Sequence, residues 1–245
     1  MSAPRALILA AGSGTRLMPL TADRPKVLVE LGDGSCLLGG LLDACERAGL
    51  RDAVVVTGYL SDRVDDFVAK RNGELSVTTV FNPEYATLGN AWSVYVAREA
   101  LAGSDFVKMD GDVILDPAIL RGLLASPHAS AIALDRRADI DEEAMKAVVG
   151  PDGQVSALGK WVALDEASGE SIGVEKIAGA AGLFEAIERV VRREGVGDAY
   201  YEDVYHRMLA AGFELGAYDI GDLIWGEVDD QRDLERARAL RAQIK

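Results

Sequence analysis

Gly12-Ser13-Gly14-Thr15-Arg16 and the later pair Pro25-Lys26 bring together the residue types that hold a polyphosphate. Glycines let a backbone approach a ligand and turn its N–H groups inward, which makes a concavity for an anion. Arg16 adds a forked donor suited to phosphate oxygens, and Lys26 follows a proline that stiffens its turn. A glycine-rich turn after a strand would account for Gly12-Ser13-Gly14 alone. With Thr15, Arg16 and Lys26 added, the pattern points to a nucleoside triphosphate site. The second constellation is Asp110-Gly111-Asp112. Two carboxylates at a strand end can bind a hard cation such as Mg²⁺, with waters and phosphates completing its octahedron. The plain alternative is an Asp-Gly turn that closes a strand.

Two further stretches mix aromatics with acids: Asp198–Asp203, which holds Tyr201, Glu202 and Asp203, and Trp225–Asp230, which holds Glu227 and Asp229. Aromatic faces and carboxylates together suit an ammonium group, through cation–π attraction and ion pairing. The alternative is that the aromatics are core and that Asp229 or Asp230 caps the last helix. Asn90 opens another helical pattern, which either Asn90 or Ser93 could cap, or else belongs to a loop and helix start that read a nucleotide base. His128 and His206 stand alone, without metal-ligand spacing or a neighbouring nucleophile, and read as structural.

The elements that must position these residues alternate. Strand patterns run over Ala6–Ala10, Ala53–Thr57, Ser76–Val80 and Asp105–Met109, and helical ones over Leu37–Ala48, Ser61–Lys70 and Asn90–Leu101. That rhythm predicts crossover helices and an α/β fold with a mostly parallel, Rossmann-like sheet flanked by helices. Ligands in such sheets bind beyond the carboxyl ends of the strands, so the glycine loop and the Asp110–Asp112 turn should face one crevice. After a further strand at Ile132–Asp135 comes the acidic run Asp139–Glu143. Gly150-Pro151-Asp152-Gly153 then separates two apolar runs as a hairpin turn would. Lys160-Trp161 and Gly169–Val174 complete what reads as a small antiparallel insertion, roughly 136–178, walling a second substrate within one domain over 1–245. Ile177–Arg192, Glu202–Ala211 and Gln231–Ala242 are helical by pattern.

The composition is that of a globular protein, 49% hydrophobic and 27% charged. The net charge of −14 argues against nucleic acid as a partner. It also requires a divalent cation and well-placed Lys and Arg if a triphosphate is to bind. No stretch reads as a signal peptide or a membrane span. The two cysteines, Cys36 and Cys45, are too few for a disulfide framework and read as buried thiols of a cytoplasmic protein. Assembly as a homodimer stays open.

From Ala6 to the last helix the chain resembles the nucleotidyltransferases that activate sugar phosphates and related alcohols, whose signature GxGTRL…PK is matched by Gly12–Leu17 with Pro25-Lys26. Within them it looks most like the bacterial choline-phosphate cytidylyltransferases, on the order Glu142-Glu143, Met145-Lys146, Asp152-Gly153, Lys160, Gly169-Glu170 and Gly173. It departs from that branch in having Gly89-Asn90 where a pair of asparagines is expected. The resemblance implies a nucleotide-diphospho-sugar transferase-like fold and transfer from CTP, with Mg²⁺, to a small phosphorylated or phosphonate acceptor. Choline phosphate is the first expectation and aminoethylphosphonate the second. Arg16, Lys26 and Lys160 would be catalytic; Leu9, Ala11, Gly12, Ser13, Gly14, Thr15, Asn90 and Asp110 would bind the nucleotide. Asp112 and Asp229 would hold the metal, and Trp161, Tyr201, Glu202, Asp203 and Glu227 the acceptor. Rival readings are a sugar-1-phosphate or inositol-phosphate nucleotidyltransferase, a nucleotide-sugar glycosyltransferase, and a non-catalytic nucleotide-binding regulator.

Overall fold

The structure, a computed structural model, describes residues 3–101, 103–137 and 140–244. Asp139 of the acidic run, and with it part of the 136–178 stretch, lies outside the described residues.

Its central strands are apolar on both faces because helices cover both faces. In β1 (Arg5–Ala10), Ala6, Ile8 and Ala10 pack to one side and Leu7 to the other. β1 pairs in parallel with β2 (Asp52–Thr57), and β2 with β3 (Ser76–Phe81). On its other side β1 pairs in parallel with β4 (Phe106–Asp110). The crossovers are α1 (Leu37–Arg47), α2 (Ser61–Lys70), and a helical stretch that breaks into α3 (Asn90–Val96) and α4 (Arg98–Leu101). That stretch is not the single helix its pattern predicts. At Ala97 the amide bonds the Val94 carbonyl, three residues back, so the turn tightens and the helix restarts.

β5 (Val113–Leu115) and α5 (Pro117–Ala125) lead to β6 (Ala131–Asp135). The hairpin of β7 (Lys146–Val149) and β8 (Val155–Gly159) follows, as the Gly150–Gly153 turn predicts. The next strand, β9 (Gly169–Ile177), runs antiparallel between β4 and β6 in the middle of the main sheet, and the hairpin hangs from its first residues. Ile177 therefore ends a strand rather than starting a helix. Gly179, with φ +63°, turns the chain before α6 (Ala181–Glu188), which widens into a π-helical turn over Arg189–Arg193.

α7 (Tyr201–Ala210), β10 (Gly216–Asp219), β11 (Trp225–Glu227) and α8 (Gln231–Arg241) complete the chain. Among the described residues the large sheet has nine strands, in the order β10-β6-β9-β4-β1-β2-β3 with β7 and β8 attached at β9. It is the α/β architecture expected: parallel in its β4-β1-β2-β3 half, with antiparallel additions. One core cluster lies under α1 and α5, and a second under α3, α6 and α7.

A third cluster matters most for function. Leu17, Val29, Leu31, Leu37, Ile114, Val228, Leu234 and Ala237 pack together beneath α8. Leu17 adjoins Arg16 and Val228 adjoins Asp229, so burying these apolar neighbours locks the glycine loop against the C-terminal segment. β11 pairs antiparallel with β5, and the Val228 amide donates to the Asp112 carbonyl at 3.0 Å. Residues far apart in sequence are thereby held at one strand tip.

Candidate active site

A cleft of about 510 Å³ opens beyond the carboxyl ends of β1 and β4. Leu9, Ala11, Gly12 and Arg16 line it from the loop side, and Asn90 and Ser93 from the start of α3. Gly14 sits at φ +62°, and a Cβ there would lie 2.8 Å from Lys26 Cβ. The loop thus needs glycine both to turn and to admit the lysine stem. Thr21 Oγ1 donates to the Gly14 carbonyl at 2.8 Å, and the Tyr59 amide to that of Ala11 at 3.0 Å. The backbone amides of residues 13 to 16 have no acceptor among the described residues, which leaves a row of donors for an anion. Ser13, Gly14 and Thr15 form the arch of the loop without lining the cleft.

Lys26 Nζ lies 2.8 Å from Asp112 Oδ2 and 2.8 Å from Asp229 Oδ1, and Arg16 Nη2 lies 2.7 Å from the same Asp229 oxygen. Burial alone would lower the pKa of Lys26; the two carboxylates more than offset it and hold the ammonium above its ordinary value. Asp112, Asp229 and Glu227 each bring an oxygen within 4.8 Å of the others. Glu227, expected at the acceptor, thus joins the two acids expected at the metal. Its carboxyl is pushed up to about 8, by its place in the cleft first and by Asp112 and Asp229 next. The other oxygen of Asp112 is buried and has no hydrogen-bond partner among the described residues. Three carboxylates and an orphaned oxygen fit a hard divalent cation, which prefers oxygen ligands.

The far end of the cleft is lined by Asp141, Glu143, Met145, Lys160, Glu170, Tyr200 and Glu202. Lys160 Nζ lies 3.0 Å from Glu143 Oε2. The Glu170 carboxyl is pushed up to about 7, by burial and then by the charges of Asp141 and Asp135. Glu202 is buried and pushed up to about 8, again by burial first.

Three of the expected acceptor residues are not brought here. Trp161 is 60% exposed and sets its ring edge-on to His206, with centroids 4.7 Å apart. Tyr201 is fully buried behind Asp110, to which its hydroxyl donates. Asp203 turns back to accept from the Tyr200 amide at the start of α7. Asn90 does not cap α3 with its side chain; its Oδ1 accepts from the Tyr201 amide at 3.0 Å. Sequence reasoning passed over Asp141 and the lining role of Tyr200. It also missed a fully buried lysine, Lys108, whose signal was available: a charge in the middle of the apolar strand Phe106–Asp110.

The sequence profile of the nucleotidyl transferase family matches residues 5–133, more than half of the chain. The chain belongs to the nucleotidyl transferase family. As a member of this family it is 33% identical over 248 residues to the CMP-5'-(3-aminopropyl)phosphonate synthase of Streptomyces rubellomurinus, an alignment covering 95% of this chain and 38% of that protein. It is 36% identical over 106 residues to the choline-phosphate cytidylyltransferase of Streptococcus pneumoniae, over 43% of this chain and 44% of that one. The aligned regions therefore cover less than half the length of each of these two relatives. The solved inositol-1-phosphate CTP transferase of T. maritima superposes with a TM-score of 0.81 at 24% identity, over 98% of this chain and 96% of the other, and shares its fold. The nucleotidyl transferase profile ends at β6, so it covers the loop, Lys26 and Asp112 but not Asp229, Lys160 or the acid-lined far end.

Proposed function

We propose that this chain transfers a cytidylyl group from CTP to a small phosphonate or phosphate that carries a primary amine, and releases pyrophosphate. The observation that carries the reading is the bridging of Asp112 and Asp229 by Lys26, with Arg16 beside them, under a loop of unused amides. This arrangement gathers donors for a triphosphate and acids for its Mg²⁺ at one strand tip. The cytidine assignment is supported by the relatives of Streptomyces and Streptococcus, whose names carry CMP and cytidylyl transfer.

An oxygen of the acceptor's phosphonate attacks the α-phosphorus of CTP. A new P–O bond forms, the bond from that phosphorus to the bridging oxygen breaks, and pyrophosphate leaves with the electron pair. The attacking oxygen is already ionised at neutral pH, so no protein nucleophile is needed. Catalysis rests on alignment and on neutralising charge at the transferred phosphoryl group. Arg16 and the loop amides would hold the triphosphate and Lys26 its α-phosphate, while Lys160 would steer the acceptor's phosphonate. Asp112, Asp229 and Glu227 would hold Mg²⁺, which supplies further positive charge to the polyphosphate when bound.

Aromatics choose between ammonium types. A quaternary ammonium is held mainly by ring faces, yet Trp161 and Tyr201 stand outside the cleft and, among the described residues, Tyr200 is the only aromatic lining it. Carboxylates such as Asp141 and Glu170 accept the N–H bonds of a primary ammonium instead. An aminoalkylphosphonate, the second expectation from the sequence, therefore ranks ahead of choline phosphate, the first, which becomes the second reading on the strength of Tyr200. A pyrophosphate-release screen tests this by crossing the four common triphosphates with aminoethylphosphonate, choline phosphate, inositol phosphate and glucose phosphate. Turnover is expected with CTP and aminoethylphosphonate. Tight CTP binding with no turnover on any acceptor would favour a regulator instead.

A further inference from the structure

Lys108 sits in the centre of β4 with no solvent exposure, its Nζ 2.8 Å from Glu175 Oε2 and 3.1 Å from Asp110 Oδ1. The same ammonium lies 3.3 Å from the centroid of the Tyr201 ring. Glu175 is as buried as the lysine, and Glu202 is buried nearby. Packed apolar side chains would serve stability as well as a buried ionic group, or better, so stability does not account for this cluster.

What the cluster touches does. Asp110 reaches the cleft, and both of its oxygens are held from behind: Oδ1 by Lys108, Oδ2 by the Tyr201 hydroxyl at 2.5 Å. Gly173, at φ +72°, passes so close that a Cβ there would lie 2.5 Å from Asp110 Oδ2. An ammonium, a phenol and a glycine thus converge to fix one carboxylate. Asp110 pairs in register with Leu9, at the root of the glycine loop, whereas Arg16 and Lys26 turn to Asp229 and Asp112. A fixed anion repels phosphates. The part of a nucleotide beside it must therefore be uncharged and rich in donors, which describes the sugar hydroxyls.

We infer that Lys108 is a positioning residue that, with the Tyr201 hydroxyl, fixes the Asp110 carboxylate to accept a hydrogen bond from the ribose of the bound nucleotide. This rests on the reading of the cleft as a triphosphate site. The test is calorimetric titration, with Mg²⁺ present, of CTP, 2'-deoxy-CTP and 3'-deoxy-CTP into the wild type, Tyr201→Phe and Lys108→Met, with melting curves and kinetics for each.

The wild type should prefer CTP over at least one deoxy analogue by about tenfold, the size of one hydrogen bond to a charged group. Tyr201→Phe should keep a cooperative melt, reduce that preference to below about threefold, and raise KM for CTP. Its kcat and its KM for the acceptor should stay within about twofold. Lys108→Met should do the same where it folds; where it does not, Tyr201→Phe decides alone. An undiminished preference in folded Tyr201→Phe, or no preference in the wild type, overturns the inference while leaving the site reading intact. A wild type that binds none of the three triphosphates overturns both.

Discussion

Lys26 stands between Asp112 and Asp229 where a divalent cation would also stand, and this sets up a competition at the level of single groups. A free metal ion must displace an ammonium already paired to both acids. A metal arriving with a triphosphate gives that ammonium a new partner. Metal and nucleotide should therefore strengthen each other's binding. Lys26→Met removes the competitor, so free Mn²⁺, titrated by electron paramagnetic resonance without nucleotide, should bind it about tenfold more tightly than the wild type. Weaker Mn²⁺ binding by that variant would refute the competition. Turnover should move the other way: Lys26→Met and Asp112→Asn are each expected to slow pyrophosphate release by about 10² or more, the usual scale for losing one preorganised charge. If either stayed within a few-fold of wild type, the assigned roles would be wrong.

At the scale of elements, the start of α8 holds the site's C-terminal acid in place. Asp230 caps the helix by accepting from the Arg232 and Asp233 amides, at 2.7 and 3.0 Å. Asp233 reaches back to the Asp229 and Asp230 amides, both at 3.1 Å. One helix end thus performs two tasks with adjacent aspartates: Asp230 caps, and Asp229 is left for the cleft. Asp230→Ala should lower the midpoint of urea unfolding by removing this cap, with turnover lowered only a few-fold. Asp233→Ala should separate the two tasks, since it frees the Asp229 backbone. A drop in kcat larger than the loss of stability would show that; proportionate losses would argue against it.

For the whole molecule, buried acids tie stability to pH. Glu175 is pushed up to about 7 and Glu202 to about 8, burial being the larger cause in both, against an ordinary value of 4.5. Between those values the folded chain keeps protons that the unfolded chain releases. Their contribution is therefore complete below about pH 4.5 and is lost as pH rises through 7 to 8. Each group can supply a slope of at most about 1.4 kcal/mol per pH unit. At the acid end the sign reverses. Asp33 is lowered to about 2, chiefly by its bonds to Ser35, so its contribution goes as pH falls through that value. Scanning calorimetry in steps from pH 5.5 to 8.5 should find the melting temperature falling. Glu202→Gln should flatten part of that fall, and an unchanged slope would remove Glu202 from the account.

By itself the amino-acid sequence determined the alternating strands and helices and the parallel half of the sheet, and it carries the pattern of Gly12–Arg16 with Lys26 on which the proposed phosphate site rests. These rest on local signals: apolar period, glycine at a turn that requires it, and charge placed next to both. It also pointed to Asp112 and Asp229, through a resemblance that spans both ends of the chain. Only the tertiary structure decided which side chains share the cleft. Trp161 and Tyr201 look in sequence like partners for an ammonium, but one turns to His206 and the other goes under Asp110. Glu227 joins Asp112 and Asp229 because β11 pairs with β5, a contact between segments more than a hundred residues apart. Lys108 and Glu175 meet because β9 inserts antiparallel beside β4. Side-chain direction in a strand depends on register, and register between distant strands is set by packing that no local pattern encodes.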